Sequence, residues 1–121
     1  MILLIDDNEN LLAAFQACLR INGLPSKTCY SVSEALDYLD KNLAPKLILL
    51  DFAMPRLTGE DFMDGIKDMK NLKSSSTKII GMSCYAPDYV GITRFKSLVH
   101  EYIEKPASLK EFMDIVHRYY C

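Results

Sequence analysis

Residues Lys46 to Gly59 read KLILLDFAMPRLTG, and the organisation of the chain turns on them. Leu47 to Leu50 are consecutive apolar residues closed by one carboxylate, Asp51, with Pro45 before the run and Pro55 after it. A short apolar run between such boundaries is the pattern of a strand buried on both faces of a parallel sheet. In open parallel sheets the functional groups stand beyond the carboxyl ends of the strands. Asp51 is therefore expected at the mouth of the sheet. Taken alone, it reads more simply as a strand-terminal turn residue. The other strand ends reverse that preference.

Outward from this strand, the same arrangement recurs. Ile2 to Ile5 form a short apolar strand that ends in Asp6 and Asp7. Asn8 is placed to cap the helix that follows. Leu12, Phe15 and Leu19 share one face of that helix, and Gly23 closes it. Pro25 to Tyr30 is a weak second strand. Ser31 and Glu34 have capping-box spacing, and the next helix turns Ala35, Leu36 and Leu39 inward. After the central strand, Thr58 to Asp61 open a third helix with Phe62, Ile66 and Met69 on one face. Asn71 to Ser76 are polar and loop-like. Thr77 to Met82 form a fourth strand ending at Ser83. A helix of low propensity is expected over Asp88 to Lys96, which contains Gly91, Ile92 and Thr93. Val99 to Ile103 form the fifth strand, ending at Glu104-Lys105-Pro106. Ser108 and Glu111 repeat the capping box, and the last helix buries Phe112, Ile115, Val116 and Tyr119. Five strand–helix alternations call for an α/β fold, a doubly wound five-stranded parallel sheet with helices on both faces. One such domain accounts for residues 1–121.

Composition narrows the function. Half of the 121 residues are hydrophobic, a quarter are charged, and the net charge is -2. This is a globular composition with no electrostatic footprint for nucleic acid or an anionic membrane. The apolar start stops at Asp6, too short for a secretory leader, and no stretch approaches a membrane span. Cys18, Cys29, Cys84 and Cys121 form no CxxC pair, and neither His100 nor His117 adds a zinc-like spacing. They read as reduced thiols of a cytoplasmic protein.

Four of the five strand ends carry a reactive side chain: Asp6 and Asp7, then Asp51, Ser83 and Lys105. A flavodoxin-like strand order, 2-1-3-4-5, puts the first and third strands together at the switch point, so that Asp7 and Asp51 face each other with Asp6 close by. Three gathered carboxylates repel unless a cation neutralises them, and Mg2+ suits hard oxygen donors. Lys105 adds a fixed positive charge on the other side, across from the carboxylates, and Ser83 adds a hydroxyl. Such a set can hold a phosphoryl group on a carboxylate nucleophile. Each member has a plainer reading alone, as helix-start acids, a turn serine or a solvated lysine. Their joint occurrence at four strand ends favours the site.

These residues resemble a known family. IDDN (Ile5 to Asn8), LLDFAMPRLTG (Leu49 to Gly59), MSCY (Met82 to Tyr85) and YIEKP (Tyr102 to Pro106) look like the motifs of a receiver domain of two-component response regulators, chemotaxis-regulator-like, across the full chain. The resemblance implies that Asp51 is the phosphoacceptor. It implies that Asp6, Asp7, Asp51 and the backbone carbonyl of Ala53 hold Mg2+. By the same match Ser83 is the switch hydroxyl, Lys105 the phosphate-binding lysine and Tyr102 the switch aromatic, with a cis Lys105–Pro106 bond. The implied function is a phosphoacceptor signalling switch that takes a phosphoryl group from a sensor histidine kinase or a histidine phosphotransfer protein. It catalyses only its own phosphorylation and hydrolysis, so it is not an enzyme in the usual sense. The surface of the fourth helix, fifth strand and last helix is the expected output face, for a homodimer or a downstream partner, driven by Ser83 moving and Tyr102 following.

The chain departs from the family at Ser97-Leu98-Val99-His100, where Gly-Ala is usual, and at Cys84. Tyr85 either shields the site or points to solvent. The rival from another class is a Mg2+-dependent phosphohydrolase with an aspartate nucleophile. That chemistry places its acid/base two residues after the nucleophile, where this chain has Ala53, which moves no proton. No nucleotide-binding glycine motif occurs. The chain is either a whole single-domain regulator or the receiver of a longer one.

Overall fold

Leu47–Asp51 (β3) is buried along its whole length, and its two neighbours explain why. It pairs in parallel with Ile2–Ile5 (β1) on one side and with Lys78–Ser83 (β4) on the other. The computed structural model describes residues 1–52, 59–69, 72, 76–83 and 99–120. Within them, Ser26–Cys29 (β2) and Glu101–Glu104 (β5) complete a five-stranded sheet in the order β2-β1-β3-β4-β5. Every pairing is parallel. Glu9–Ile21 (α1), Val32–Lys41 (α2), Gly59–Ile66 (α3) and Leu109–Tyr119 (α4) are the helices of the described residues. The helix expected over Asp88 to Lys96 lies outside them.

Alternation along the strands splits the interior into two cores. Leu3, Ile5, Ile48 and Leu50 pack with Val32, Ala35 and Leu39 of α2 and with Phe62, Met63 and Ile66 of α3. Ile2, Leu4, Leu47 and Leu49 pack with Leu12, Phe15 and Leu19 of α1 and with Phe112 and Val116 of α4. Phe15 and Phe112 stack with ring centroids 4.0 Å apart and planes 3° from parallel, which ties α1 to α4. Ile115 and Tyr119, expected inside, are half-buried at the edge of this core.

Local chemistry sets the helix ends. The Asn8 side chain accepts the Leu11 amide at 3.0 Å. Ser31 and Ser108 accept the Glu34 and Glu111 amides, both at 3.1 Å. The two glutamates reach one residue further back than a capping box requires, accepting from the Tyr30 and Ala107 amides. At the end of α1, Leu24 N–H donates to the Leu19 carbonyl and Gly23 N–H to that of Arg20, a Schellman closure. Its left-handed position, φ 72°, is held by Gly23.

The structure departs from the sequence reading at the start of β5 and at Leu72, and trims the expected second and fourth strands to Ser26–Cys29 and Lys78–Ser83. β5 starts at Glu101, not Val99. His100 donates its amide to the Ile79 carbonyl, but its ring Nδ1, not a main-chain oxygen, accepts the Ile79 amide at 3.1 Å. The side chain thus breaks the ladder where the strand would have begun. Leu72, inside the stretch read as polar loop, is half-buried against the α2–α3 core. Cys29 is fully buried, and burial, with Glu34 nearby, pushes its thiol up to about 11, so it stays protonated and inert at neutral pH.

Phe112 is fully buried and joins the two helices on one face of the sheet. Phe112→Ala should therefore cost about 3–5 kcal/mol, read as a lower urea midpoint with an unchanged slope. A loss within about 0.5 kcal/mol, as at exposed positions, would show that the stacked pair does not anchor the helices.

Candidate functional site

The strand register delivers the site. Ile5 lies level with Leu50, Asp51 with Met82, and Ser83 with Glu104. The residues at or just past these ends, Asp6, Asp51, Ser83 and Lys105, are therefore neighbours along one edge of the sheet. Lys105 N–H donates to the Ser83 carbonyl at 2.8 Å, which extends the β4–β5 pairing by one residue and fixes where the lysine leaves the backbone.

Asp6, Asp51 and Ser83 are almost wholly buried, at 1%, 4% and 1% exposure, whereas Asp7 is exposed. Asp6 Oδ1 accepts the Asn8 amide at 3.0 Å, so the start of α1 helps to orient this carboxylate. The Lys105 ammonium lies 2.6 Å from Asp6 Oδ2 and 3.3 Å from Asp51 Oδ2. Burial alone lowers the pKa of this lysine; the contacts with Asp6 and Asp51 outweigh it, and the net shift is upward. Lys105 therefore stays charged throughout the neutral range. Its raised pKa adds stability that is present below the ordinary lysine value and is lost as pH rises through the folded value.

Asp6, Asp7 and Asp51 each present an oxygen such that all three lie within 4.8 Å of one another. Three hard anionic donors at that spacing fit a small divalent cation with an oxygen shell. Asp7 is exposed to water, and such an ion retains several waters.

The lysine stands between Asp6 and Asp51 rather than across from them. Lys105–Pro106 is trans, where the resemblance implied cis, since no cis bond occurs among the described residues. The ion pairs and the Ser83 hydrogen bond already direct the lysine, and trans is the lower-energy form before proline. Tyr102 is half-buried on β5, its ring edge-to-face with Phe52 at 5.6 Å and 68°. Ala53, Cys84 and Tyr85 lie outside the described residues. Phe52 and Gly81 were not singled out from the sequence. The signal was there in Gly81, a glycine inside an apolar strand, which often marks a close approach of other groups.

Comparison with known proteins agrees with this architecture. The family model described as response regulator receiver domain matches residues 2–117. The regulatory protein AtoC of Escherichia coli is 29% identical over 119 residues, 97% of this chain but 24% of its own length, so this chain spans about a quarter of that relative. The chemotaxis response regulator CheY4 of Vibrio cholerae superposes with a TM-score of 0.83 at 21% identity, covering 97% of this chain and 95% of the other. TrrA of Thermotoga maritima, solved in complex with Mg2+ and BeF, superposes with a TM-score of 0.75 at 24% identity, covering 97% and 96%. With the matching fold and the acidic edge of the sheet, the family match over residues 2–117 makes this chain a member of the response regulator receiver domain family, a signalling domain of two-component systems.

Proposed function

We propose that residues 1–121 form one receiver domain in which Asp51 accepts a phosphoryl group from the phosphohistidine of a sensor kinase or phosphotransfer protein. The observation that carries this reading is the buried Asp51 carboxylate at the end of β3. It has two further carboxylates within 4.8 Å and the Lys105 ammonium 3.3 Å away. In the transfer, an Asp51 oxygen forms the new bond to phosphorus as the bond from phosphorus to the donor's ring nitrogen breaks. Hydrolysis by water later returns the carboxylate and inorganic phosphate. Asp6, Asp7 and Asp51, with the Ala53 carbonyl, are the residues that would hold Mg2+, and the Mg2+–BeF complex of TrrA supports this fit. The ion, when bound, supplies positive charge against the phosphoryl oxygens. Lys105 supplies a second, fixed charge. The Ser83 hydroxyl donates to the phosphorylated form and draws the end of β4 inward. Tyr102 responds on the adjacent strand and changes the surface that includes β5 and α4, where a second copy or a downstream partner docks. The setting is cytoplasmic, among soluble partners. No helix of the described residues is long and apolar enough to cross a membrane.

Three measurements bear on this. Incubation with acetyl phosphate and Mg2+ should add one phosphoryl group, as a labile acyl phosphate, by intact mass, and Asp51→Asn should abolish it, because an amide is a poor nucleophile. Equal labelling of Asp51→Asn would remove Asp51 as the acceptor.

Asp7 is exposed beside two carboxylates that already share Lys105. Asp7→Ala should therefore raise the metal-free melting temperature slightly while losing the further rise that Mg2+ gives the wild type. Undiminished Mg2+ affinity, by titration calorimetry, would take Asp7 out of the ligand set.

Ser83→Ala should leave Asp51 able to bind beryllofluoride but blunt the response at Tyr102. Amide and aromatic NMR with beryllofluoride and Mg2+ reads both. If Tyr102 shifts equally in the two proteins, the signal does not pass through Ser83.

A further inference from the structure

The amino ends of β3 and β4 meet the end of α4 around a cavity of about 280 Å3, lined by Lys46, Ser76, Lys78, Tyr119 and Tyr120. Strand register assembles it. Lys46, just before β3, donates its amide to the Met1 carbonyl at 3.0 Å. Lys78, which opens β4, donates its amide to the Lys46 carbonyl, also at 3.0 Å. Along β4, Lys78 shares a face with Ile80 and Met82, the side on which α1 and α4 pack. α4 ends on that side in Tyr119, with Tyr120 next. Asp51 and Ser83 lie at the opposite ends of the same two strands.

The lining is rich in donors and includes no carboxylate side chain. Among the described residues, neither Lys46 nor Lys78 forms an ion pair, and the Ser76 hydroxyl has no hydrogen-bond partner. The Lys46 ammonium stands 4.7 Å from the centre of the Tyr120 ring, which orients the charge without neutralising it. Tyr120 Oη accepts from the Met1 nitrogen at 3.2 Å, so its own proton remains to be donated. The Tyr119 hydroxyl is buried and has no partner among the described residues. The plainer reading is that the lysines serve the negative end of the α4 dipole. That end already has basic side chains in its last turn, His117 and Arg118. The dipole also leaves the hydroxyls unused.

We propose that this cavity is a second anion site, for a phosphate dianion, free or as the monoester group of a small molecule. A phosphate monoester carries up to about two negative charges, matched by two ammonium groups. It has three acceptor oxygens where a carboxylate has two, enough for the Ser76 and Tyr120 hydroxyls as well. Lysine binds phosphate as a point charge and needs no fixed fork geometry. Small-molecule sites begin at roughly 300 Å3, so the cavity suits a phosphate with a short organic remainder. Nothing here depends on Asp51 accepting a phosphoryl group: the anion is held by charge and hydrogen bonds, with no bond made or broken.

The test titrates the isotope-labelled full chain, free of Mg2+, with inorganic phosphate and, separately, with phenyl phosphate. Amide NMR reads both series, with ionic strength held constant by chloride. The amides of Lys46, Lys78 and Tyr120 should shift and saturate with both probes and stay unmoved by chloride alone. Tighter binding of phenyl phosphate assigns the site to monoesters, and equal binding assigns it to free phosphate. Lys46→Gln and Lys78→Gln should each weaken binding about tenfold, since each removes a charge-assisted hydrogen bond. Both side chains are exposed, so neither change threatens the fold. Tyr120→Phe, which keeps the ring, should weaken binding by less. Absence of saturation, shifts that chloride reproduces, or unchanged affinity in the double lysine variant overturns the proposal. Shifts confined to Asp6, Asp51 and Lys105 would place the anion at the acidic edge and overturn it too. Failure of acetyl phosphate to label Asp51 would strike the phosphoacceptor reading and leave this one standing.

Discussion

Two buried carboxylates, Asp6 and Asp51, share one ammonium, and the edge of the sheet depends on that arrangement. Lys105 is 2.6 Å from the first and 3.3 Å from the second. An unpaired buried carboxylate is costly, and removing one partner of a buried ion pair typically costs about 3–5 kcal/mol. Among the described residues, three carboxylates gather around the one ammonium that pairs with them. Such a cluster attracts a divalent cation, which in turn offsets the charge of a phosphoryl group. The desolvation it requires is offset by the two cores behind it, where Leu and Ile side chains contribute about 1.5–3 kcal/mol each when fully buried.

The cores also set the precision of the site. β1 and β3 bury every residue, alternately towards α1–α4 and towards α2–α3. A slip of one residue in either strand would send its whole apolar set to the wrong face. Register is therefore pinned by packing on both sides, and the strand ends inherit that accuracy. Asp6, Asp51, Ser83 and Lys105 are brought together by the packing of Leu, Ile and Val along the strands and helices behind them. The hydrogen bond from Lys105 N–H to the Ser83 carbonyl carries the same register one step past the sheet.

Much of this was legible in the residues, for identifiable reasons. β3 showed as LILL between prolines because a strand buried on both faces needs no alternation. The caps at Asn8, Ser31 and Ser108 showed because each solves a local problem with a side chain at fixed spacing. The acidic cluster showed because strand ends converge in any parallel sheet of this order. What was hidden depends on partners distant in sequence. His100 was read as part of a strand, yet its ring takes the Ile79 amide and delays the strand. Met63 is fully buried but lies beside, not on, the face traced from Phe62 and Ile66. Lys105 was expected across from the carboxylates, and only the folded geometry puts it between two of them. The Phe52–Tyr102 contact over Gly81 joins residues far apart in sequence, and the glycine inside β4 was its one local sign.

Asp6 and Asp7 show how one dipeptide supplies two different groups. Consecutive residues leaving a strand point to opposite sides, so the first aspartate enters the protein and the second enters water. Asp6 is oriented by the Asn8 amide and bound to Lys105; it belongs to the folded framework. Asp7 is exposed, with full access to solvent. Their oxygens nonetheless lie within 4.8 Å of each other and of Asp51. A ligand set drawn wholly from buried, paired carboxylates would have to break its ion pairs to take a cation. A set drawn wholly from exposed ones would be poorly oriented and screened. Combining a fixed acid, a buried strand-end acid and a solvated acid lets an ion arrive through water and still meet an organised shell. Asp7 is the exposed member, so the site's charge can be changed there with little demand on the fold, whereas Asp6 carries structure and chemistry together.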